Sequence, residues 1–315
     1  MRIAVTGSIA TDHLMVYPGR FADQLIEGRL DKVSLSFLAD ELEIRRGGVA
    51  ANIAFGLGSL GLRPILVGAA GRDFAEYRAW LEAAGVDARY VRISETRHTA
   101  RFICTTDADQ NQIATFYAGA MSEARELELA PIVESSGGLD LVLIAPDDPE
   151  AMLRHTDECR SLGLSFAADP SQQLARLDRA EVRRLVEGAD FLFTNEYEAA
   201  LLQQRSGWTE QQVLERVGTW ITTYGADGVV IARSDCAAVT VPAVPTDRAA
   251  DPTGVGDAFR AGFLAGLSRQ WPLTRAARLG CALATEVLQT IGTQEYRISP
   301  ADLIGRTHDI PAGAR

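Results

Sequence analysis

The stretch Ala249 to Phe263, AADPTGVGDAFRAGF, restricts this chain more than any other part of it. Asp251, Pro252 and Thr253 come before Gly254, Val255, Gly256 and Asp257. The apolar-periodic run Ala258, Phe259, Ala261, Gly262, Leu264 and Ala265 follows, so a helix starts at the glycines. Two glycines ahead of a helix let the backbone curl until several N–H groups converge. With the positive end of the helix dipole behind them, those groups form a seat for an anion such as phosphate. Asp257 lies among these donors. A carboxylate there is an acceptor only, and the helix end is expected to keep it ionised, ready to take a proton from a hydroxyl beside a bound phosphoryl group. A bare GVGD is equally what an aspartate-capped helix after a turn looks like.

The longer string separates the two readings. DPTGVGDAFRAGF resembles the second signature of the ribokinase-like (PfkB) carbohydrate and nucleoside kinases, DTxGAGDxFxAG. The resemblance implies that Asp257 is the catalytic base and that the backbone of Gly254, Val255 and Gly256 is the anion hole. Pro252 for Thr and Val255 for Ala are departures, and neither removes a glycine or the carboxylate. Arg260, one turn beyond Asp257, could pair with it or reach a phosphate, but reads first as an exposed helix arginine.

At 315 residues and 47% hydrophobic composition the chain can bury one large core with a small appendage. Its net charge of -11 argues against nucleic acid or an anionic membrane as partner, so a phosphorylated cosubstrate needs local backbone donors and a metal ion. Cys104, Cys159, Cys236 and Cys281 are far apart and form no CxxC pair, which suits reduced thiols in cytoplasm. No run reaches ~18 apolar residues, and the start MRIAVTGSIATDH has no leader-like apolar segment.

Ile3 to Thr6 is a short apolar run ending at Gly7, as expected for a buried strand and a loop, with Ser8 and Asp12 just beyond the strand's carboxyl end, where ligands of open parallel sheets bind. Asp12 could accept from two ribose hydroxyls or simply make an Asx turn. HLMVY and VSLSFLADELEI read as strands of an excursion from the main sheet, half of a lid. In the second of these, Ser34, Ser36 and Leu38 share one face, so Ser36 either meets the ligand or faces solvent.

Arg46, Gly47 and Gly48 lead into the helix VAANIAFGLGSLG, which puts the Gly48 N–H and the Asn52 amide on one face. GGVAAN matches the first ribokinase-like signature, GGxxxN, whose positions hold sugar hydroxyls. Gly56, Gly58 and Gly61 also spell GxGxxG, but a helix precedes them and a strand follows, the reverse of a dinucleotide fingerprint, so that reading is rejected.

A strand, helix (Asp73 to Ala84) and strand follow in βαβ order, and then residues 99–106 and 112–117 flank the polar turn DADQN as a hairpin. If the hairpin is symmetric about Asp109, Phe102 and Phe116 oppose each other with Cβ atoms ~4.5 to 5.5 Å apart. They would then be either an aromatic wall for a flat ligand or a packing pair against the core or a second subunit. After the buried strand ending at Asp169, Gln172 and Gln173 offer amides suited to an adenine edge, or merely begin a helix. Together, GSIATDH, the Phe pair and ADPSQQLARL look like the adenosine kinases of actinobacteria, in which these positions contact the nucleoside.

Asn195 and Glu198 match an NxxE pattern that in ribokinase-like kinases bears on hydrated Mg²⁺ and the phosphates, and a single carboxylate suffices for a Mg²⁺ that keeps its waters. Thr223, Gly225 and Gly228 resemble the TxGxxG turn beside ATP, and the helices from Gly254 and Leu273 are expected to wall the ATP adenine. Asp251 and Thr253 resemble the site of a monovalent cation such as K⁺. The absence of GxxxxGK[ST] and of HExxH, and the scattered His13, His98, His155 and His308, disfavour P-loop kinases and metallohydrolases.

The expectation is therefore a ribokinase-like three-layer α/β/α sandwich with a mostly parallel sheet: a core of residues 1–8, 46–96 and 119–315, and a small β lid of 9–45 and 97–118. The function expected is a cytoplasmic adenosine kinase using ATP and Mg²⁺, paired as a homodimer through the lid, with no nucleic-acid or membrane partner. A sugar kinase of the same fold and a catalytically silent nucleoside binder are the rivals.

Overall fold

Strands that alternate between two apolar faces must be covered on both sides, and β1 (Ile3–Thr6) shows how this chain does it. Ile3 and Val5 enter one hydrophobic core and Ala4 enters another on the opposite face. The computed structural model describes residues 1–25 and 34–307. From β1 the chain crosses to a second sheet through β2 (Ala10–Val16) and β3 (Glu41–Gly47). It returns by α1 (Val49–Ser59), β4 (Ile65–Ala70), α2 (Ala75–Ala83) and β5 (Val91–Ile93), then completes the second sheet with β6 (Ala100–Thr106) and β7 (Gln112–Tyr117). The rest runs through α3 (Leu129–Ser136), β8 (Leu141–Ile144), α4 (Pro149–Leu162), β9 (Phe166–Ala168), α5 (Arg179–Val186), β10 (Phe191–Asn195), α6 (Glu196–Ser206), α7 (Glu210–Leu214) and β11 (Thr219–Thr223). It ends with β12 (Val229–Arg233), β13 (Cys236–Val241), α8 (Val255–Ser268), α9 (Leu273–Leu288) and α10 (Pro300–Gly305).

The main sheet has nine strands in the order β13-β12-β11-β10-β9-β8-β1-β4-β5. It is parallel from β5 to β11 and antiparallel only at β12 and β13. One face is covered by α1, α2, α8 and α9, whose Ile53, Leu81, Phe263 and Leu283 join the first core. The other is covered by α3 to α7, whose Ile132, Leu153, Leu185, Leu202 and Val213 join the second. This is the ribokinase-like α/β/α sandwich expected from the sequence. The second sheet has the order β3-β2-β6-β7, antiparallel at both edges and parallel between β2 and β6.

Two local expectations are corrected. Asp12 lies within β2, not in a loop, because extended pairing with β3 and β6 already starts at Ala10. The strand expected from Val33 to Ile44 is narrower: pairing begins at Glu41, residues 34–39 are not in a strand, and Val33 lies outside the described residues. Burial still alternates along 34–40, with Ser34, Ser36 and Leu38 exposed while Phe37 packs on Tyr17 and Phe21. The rejected glycine motif has a helix before it and a strand after it, with Gly56 and Gly58 on α1 and Gly61 just beyond its end. Gly56 and Gly58 let α1 approach Ala261 and the Ala84 carbonyl, distances at which a Cβ would collide.

Candidate active site

Two glycine-led helix starts converge at the carboxyl end of β1. Gly254 caps α8 with φ +76°, a left-handed geometry, and a Cβ there would lie 2.7 Å from Thr293 Cγ2. The first-turn N–H groups of Val255, Gly256 and Asp257 have no intrahelical acceptor. Gly48 precedes α1 with φ +92°, and a Cβ on it would lie 2.6 Å from both the Ser8 carbonyl and the Ala10 nitrogen. The Ser8 hydroxyl in turn accepts from Val49 N at 3.0 Å. Across the gap, Asn52 Nδ2 donates to Asp257 Oδ2 at 2.9 Å, so the two signature motifs meet through their side chains.

Asp257 is not simply kept ionised by the helix end, as the sequence suggested. Burial pushes its carboxyl up to about 6, against the Asn52 hydrogen bond and the Arg260 charge that pull it down, while Glu198 adds to the rise. A carboxylate poised there is ionised above neutrality and close to the value that suits a general base.

Arg260 overturns its expectation. It is only 6% exposed, and its guanidinium meets Asp169, fully buried at the end of β9, with Nη2 to Oδ1 and Nε to Oδ2 both at 2.6 Å. Burial pushes the Asp169 carboxyl up and the adjacent guanidinium pulls it back. Arg260 keeps its charge in either case, and a neutral partner would leave that charge uncompensated, so the pair is ionised. A Cβ on Gly256 would lie 2.9 Å from Arg260 Nη1, so the second glycine of GVGD makes room for this pinned arginine.

A cavity of about 340 Å³ lies above Asp257. Ser8, Gly48, Asn52 and Gly254 border its floor, and Asp12, Phe102 and Phe116 form the wall from the second sheet. Gln172 and Gln173 close a third side, from the 3-10 turn Ser171–Ala175. Phe102 and Phe116 are directly paired, as the hairpin symmetry required, and Phe116 is 51% exposed. Asp12 stands beside both Arg45 and Phe102 in the strand register. Burial pushes it up to about 6, Arg45 lowers it and Asp251 raises it. Gln173 is anchored, its Nε2 donating to the Asp147 carbonyl at 2.7 Å, so its amide is committed to the fold. Ser36 is exposed and does not border the cavity.

Sequence reasoning missed Arg176, Met121 and Thr293, which also line the cavity. The Arg176 side chain has no ion pair or hydrogen-bond partner among the described residues, its backbone N–H alone donating to the Gln173 carbonyl at 2.9 Å. Its position three residues beyond Gln173 was the only signal available.

The residues expected around ATP lie at the carboxyl ends of β10 and β11. Asn195 and Glu198 form a reciprocal capping box for α6, with Glu198 N to Asn195 Oδ1 at 2.8 Å and Asn195 N to Glu198 Oε2 at 2.7 Å. Glu198 Oε1 also accepts from Ser171 Oγ at 3.2 Å. Thr223 ends β11, and Gly225 (φ +57°) and Gly228 (φ +95°) shape the turn into β12. Gly228 packs on the backbone of residues 241–243, beyond which a second cavity of about 440 Å³ lies between Val244 and Arg278, Cys281 and Thr285 of α9.

Among the described residues no group of three or more His, Cys, Asp or Glu could hold a metal ion. A hard, half-buried carboxylate at Glu198, close enough to raise Asp257, fits a hydrated Mg²⁺ carried in with nucleotide phosphates but not a protein-built cage. The Asp251 carboxylate is already engaged by Arg45 Nη1 at 3.3 Å, Thr253 N at 2.9 Å and Gly292 N at 3.1 Å, so a cation there would compete with a guanidinium.

The sequence pattern of the pfkB family carbohydrate kinases matches residues 5–300. A nucleoside kinase of Methanothermobacter thermautotrophicus is 34% identical over 79% of this chain and 80% of its own. A cytidine kinase of Thermococcus kodakarensis is 28% identical over 86% of this chain and 97% of its own. The structure of Burkholderia thailandensis nucleoside kinase in complex with inosine superposes with a TM-score of 0.81 at 34% identity, covering 97% of this chain and 96% of that one. With both signatures joined through Asn52 and Asp257, and the family pattern spanning nearly the whole chain, this protein belongs to the PfkB family of carbohydrate kinases, with the ribokinase-like fold and ATP-dependent phosphotransfer.

Proposed function

We propose that this kinase transfers the ATP γ-phosphoryl group to the 5′-hydroxyl of adenosine, giving AMP and ADP, a purine-salvage reaction. The carrying observation is the pairing of Phe102 with Phe116 above a floor that holds Asn52 and Asp257. A purine can stack on the aromatic wall while its ribose reaches Asp12, Gly48 and Asn52. Stacking one base contributes ~1 to 3 kcal/mol, an advantage no bare sugar can use.

In this reading Asp257 Oδ1 accepts the 5′-hydroxyl proton as the oxygen attacks the γ-phosphorus. The N–H groups at Gly254, Val255 and Gly256 take up charge on the transferring phosphoryl, and ADP leaves. Asn195 and Glu198 would hold the hydrated Mg²⁺, which when bound neutralises phosphate charge. ATP would lie along Thr223, Gly225 and Gly228, its adenine toward the α9 cavity. A K⁺ at Asp251 and Thr253 would share Asp251 with the Arg45 guanidinium, which Glu43 also holds at 2.6 Å. Residues 9–45 and 97–118, of which 26–33 lie outside the described residues, would act as the lid that excludes water.

Arg176 favours a second reading, a broader purine specificity. An unpaired arginine beside Gln172 donates well to the O6 and N7 of a 6-oxopurine, and the Burkholderia enzyme was solved with inosine. On the outer face of the second sheet, Leu42, Ile44, Ile113 and Tyr117 share one side by register and are exposed, which supports a homodimer through the lid. No helix among the described residues is long and apolar enough to cross a membrane.

An ADP-release assay with MgATP against adenosine, inosine, guanosine, cytidine, ribose and fructose tests this. Turnover on adenosine alone supports the adenosine reading, and comparable turnover on inosine supports the broader one. Turnover confined to free sugars overturns the base-stacking argument, and silence on every acceptor restores the binding-protein alternative.

A further inference from the structure

A line of buried polar side chains runs away from Asp257 and ends on a backbone carbonyl, and its polarity is fixed from that far end. The Gly47 carbonyl, at the end of β3, can only accept, and it takes the Tyr77 hydroxyl proton at 2.8 Å. The Tyr77 oxygen must then accept from its next neighbour, which is Gln294 Nε2 at 2.5 Å. The other proton of that amide nitrogen goes to Asn52 Oδ1 at 2.8 Å. Thr293 Oγ1 lies 2.9 Å from the same oxygen, but its one proton is also in reach of the Arg46 carbonyl at 2.9 Å, so Thr293 can donate there and accept from Asn52 if the amide turns. With its oxygen so occupied, Asn52 can present only its NH₂ to Asp257, as found at 2.9 Å. Tyr77, Asn52 and Gln294 are all buried, and neither Tyr77 nor Gln294 borders the cavity.

We propose that Tyr77 and Gln294 are positioning residues that lock the Asn52 amide with its nitrogen toward Asp257, so that the base is held as an ionised acceptor. This goes beyond the substrate reading and rests only on Asp257 being the base. Without the Tyr77 hydroxyl the Gln294 and Asn52 amides are free to turn together. The Asn52 oxygen would then face the carboxyl, and two acceptors can meet only if the acid is protonated. Burial holds the Tyr77 phenol above its ordinary range, so it remains a neutral donor at any working pH. The second hydrogen on Asn52 Nδ2 stays available for a substrate oxygen.

The other groups acting on Asp257 come from different elements: Arg260 from its own helix with Asp169 behind it, Glu198 from α6, and Tyr296 after α9. Asp12 of β2 and Arg46 of β3 act on Tyr77 from the second sheet. None of them is altered by removing the Tyr77 oxygen.

The test is the pH profile of kcat/KM for the nucleoside at saturating MgATP, which reports the free enzyme. In the wild-type protein the rate should fall as pH drops through about 6, where both Asp257 and Asp12 protonate, so the Asp257 limb and its shift are read in an Asp12→Asn background that removes the second carboxyl. Tyr77→Phe, which keeps the ring packed on Phe74, should move that limb up by about one pH unit, the equivalent of one hydrogen bond, with near-wild-type rate recovered at high pH. Gln294→Met, of similar shape, should move it the same way. Variants that melt cooperatively like wild type yet keep the wild-type limb, or that lose activity equally at every pH, overturn the proposal. Asp257→Asn run alongside isolates the other failure: near-normal turnover in that variant removes the base assignment itself, and the proposal with it.

Discussion

Asp257 and Phe116 lie on opposite sides of one cavity, and their surroundings differ in kind. Around Asp257 the neighbours are themselves fixed: Asn52 by Gln294 with Thr293 beside it, Arg260 by a two-point contact with buried Asp169, and Gly254 by close packing against Thr293. Around Phe116 the structure is a four-stranded sheet with exposed apolar residues on its outer face, and Phe116 itself is half exposed. Chemistry that depends on a proton and a phosphoryl group in register needs the first kind of surroundings. Recognition of a flat base by stacking tolerates the second, because a ring face is forgiving of small displacements.

The largest expected effect tests the rigid side. Asp257→Asn should lower turnover by ~10² to 10⁴ while leaving nucleoside KM largely unchanged, as initial-rate kinetics will show. Arg260→Met leaves Asp169 buried without its partner. A loss of ~3 to 5 kcal/mol follows, seen as a melting temperature lower by on the order of 10 °C. Adding Asp169→Leu to that variant should restore much of the stability, and a double variant as weak as the single one would mean that the pair is not what pins α8.

On the open side, Phe116→Ala should raise nucleoside KM by the equivalent of ~1 to 3 kcal/mol with no change in melting temperature. A comparable loss for ribose would show that the ring is structural and would erase the contrast between the two walls. The smallest effect concerns Asp12, whose carboxyl is pushed up to about 6 by burial. Its ionised form, present above that value, is the one that accepts ribose hydroxyls. Nucleoside KM should therefore rise a few-fold as pH falls through 6, and Asp12→Asn should flatten that dependence. Because the folded value lies above the ordinary one, the folded state holds the extra proton, and this group's contribution to stability falls as pH rises toward 6. The same variant should accordingly be slightly more stable than wild type at neutral pH.

Legibility followed the same division. Local chemistry with a fixed spacing could be read directly: GVGDAF as a helix start, GGVAAN as another, and the hairpin whose symmetry paired Phe102 with Phe116. Residues whose role comes from long-range burial could not. Arg260 looks like any polar residue of an amphipathic helix until β9 brings Asp169 beneath it, 91 positions away in sequence. Tyr77 and Gln294 carry no motif, and they meet only because α2 and the segment after α9 pack beside α1. Ser36 shows the converse, since an alternating pattern gives two faces without saying which of them turns toward the ligand.

The sequence by itself determined the elements, their order and the atoms able to accept a proton or cradle a phosphate, because these depend on neighbours within a few residues. Tertiary structure alone decided that the Asp257 carboxyl is pushed up to about 6, that a buried arginine–aspartate pair lies under the GVGD turn, and that the hydrogen bonds reaching Asp257 are directed from Gly47. Desolvation and hydrogen-bond direction are properties of what surrounds a group, and the chain supplies those surroundings from segments that its sequence keeps far apart.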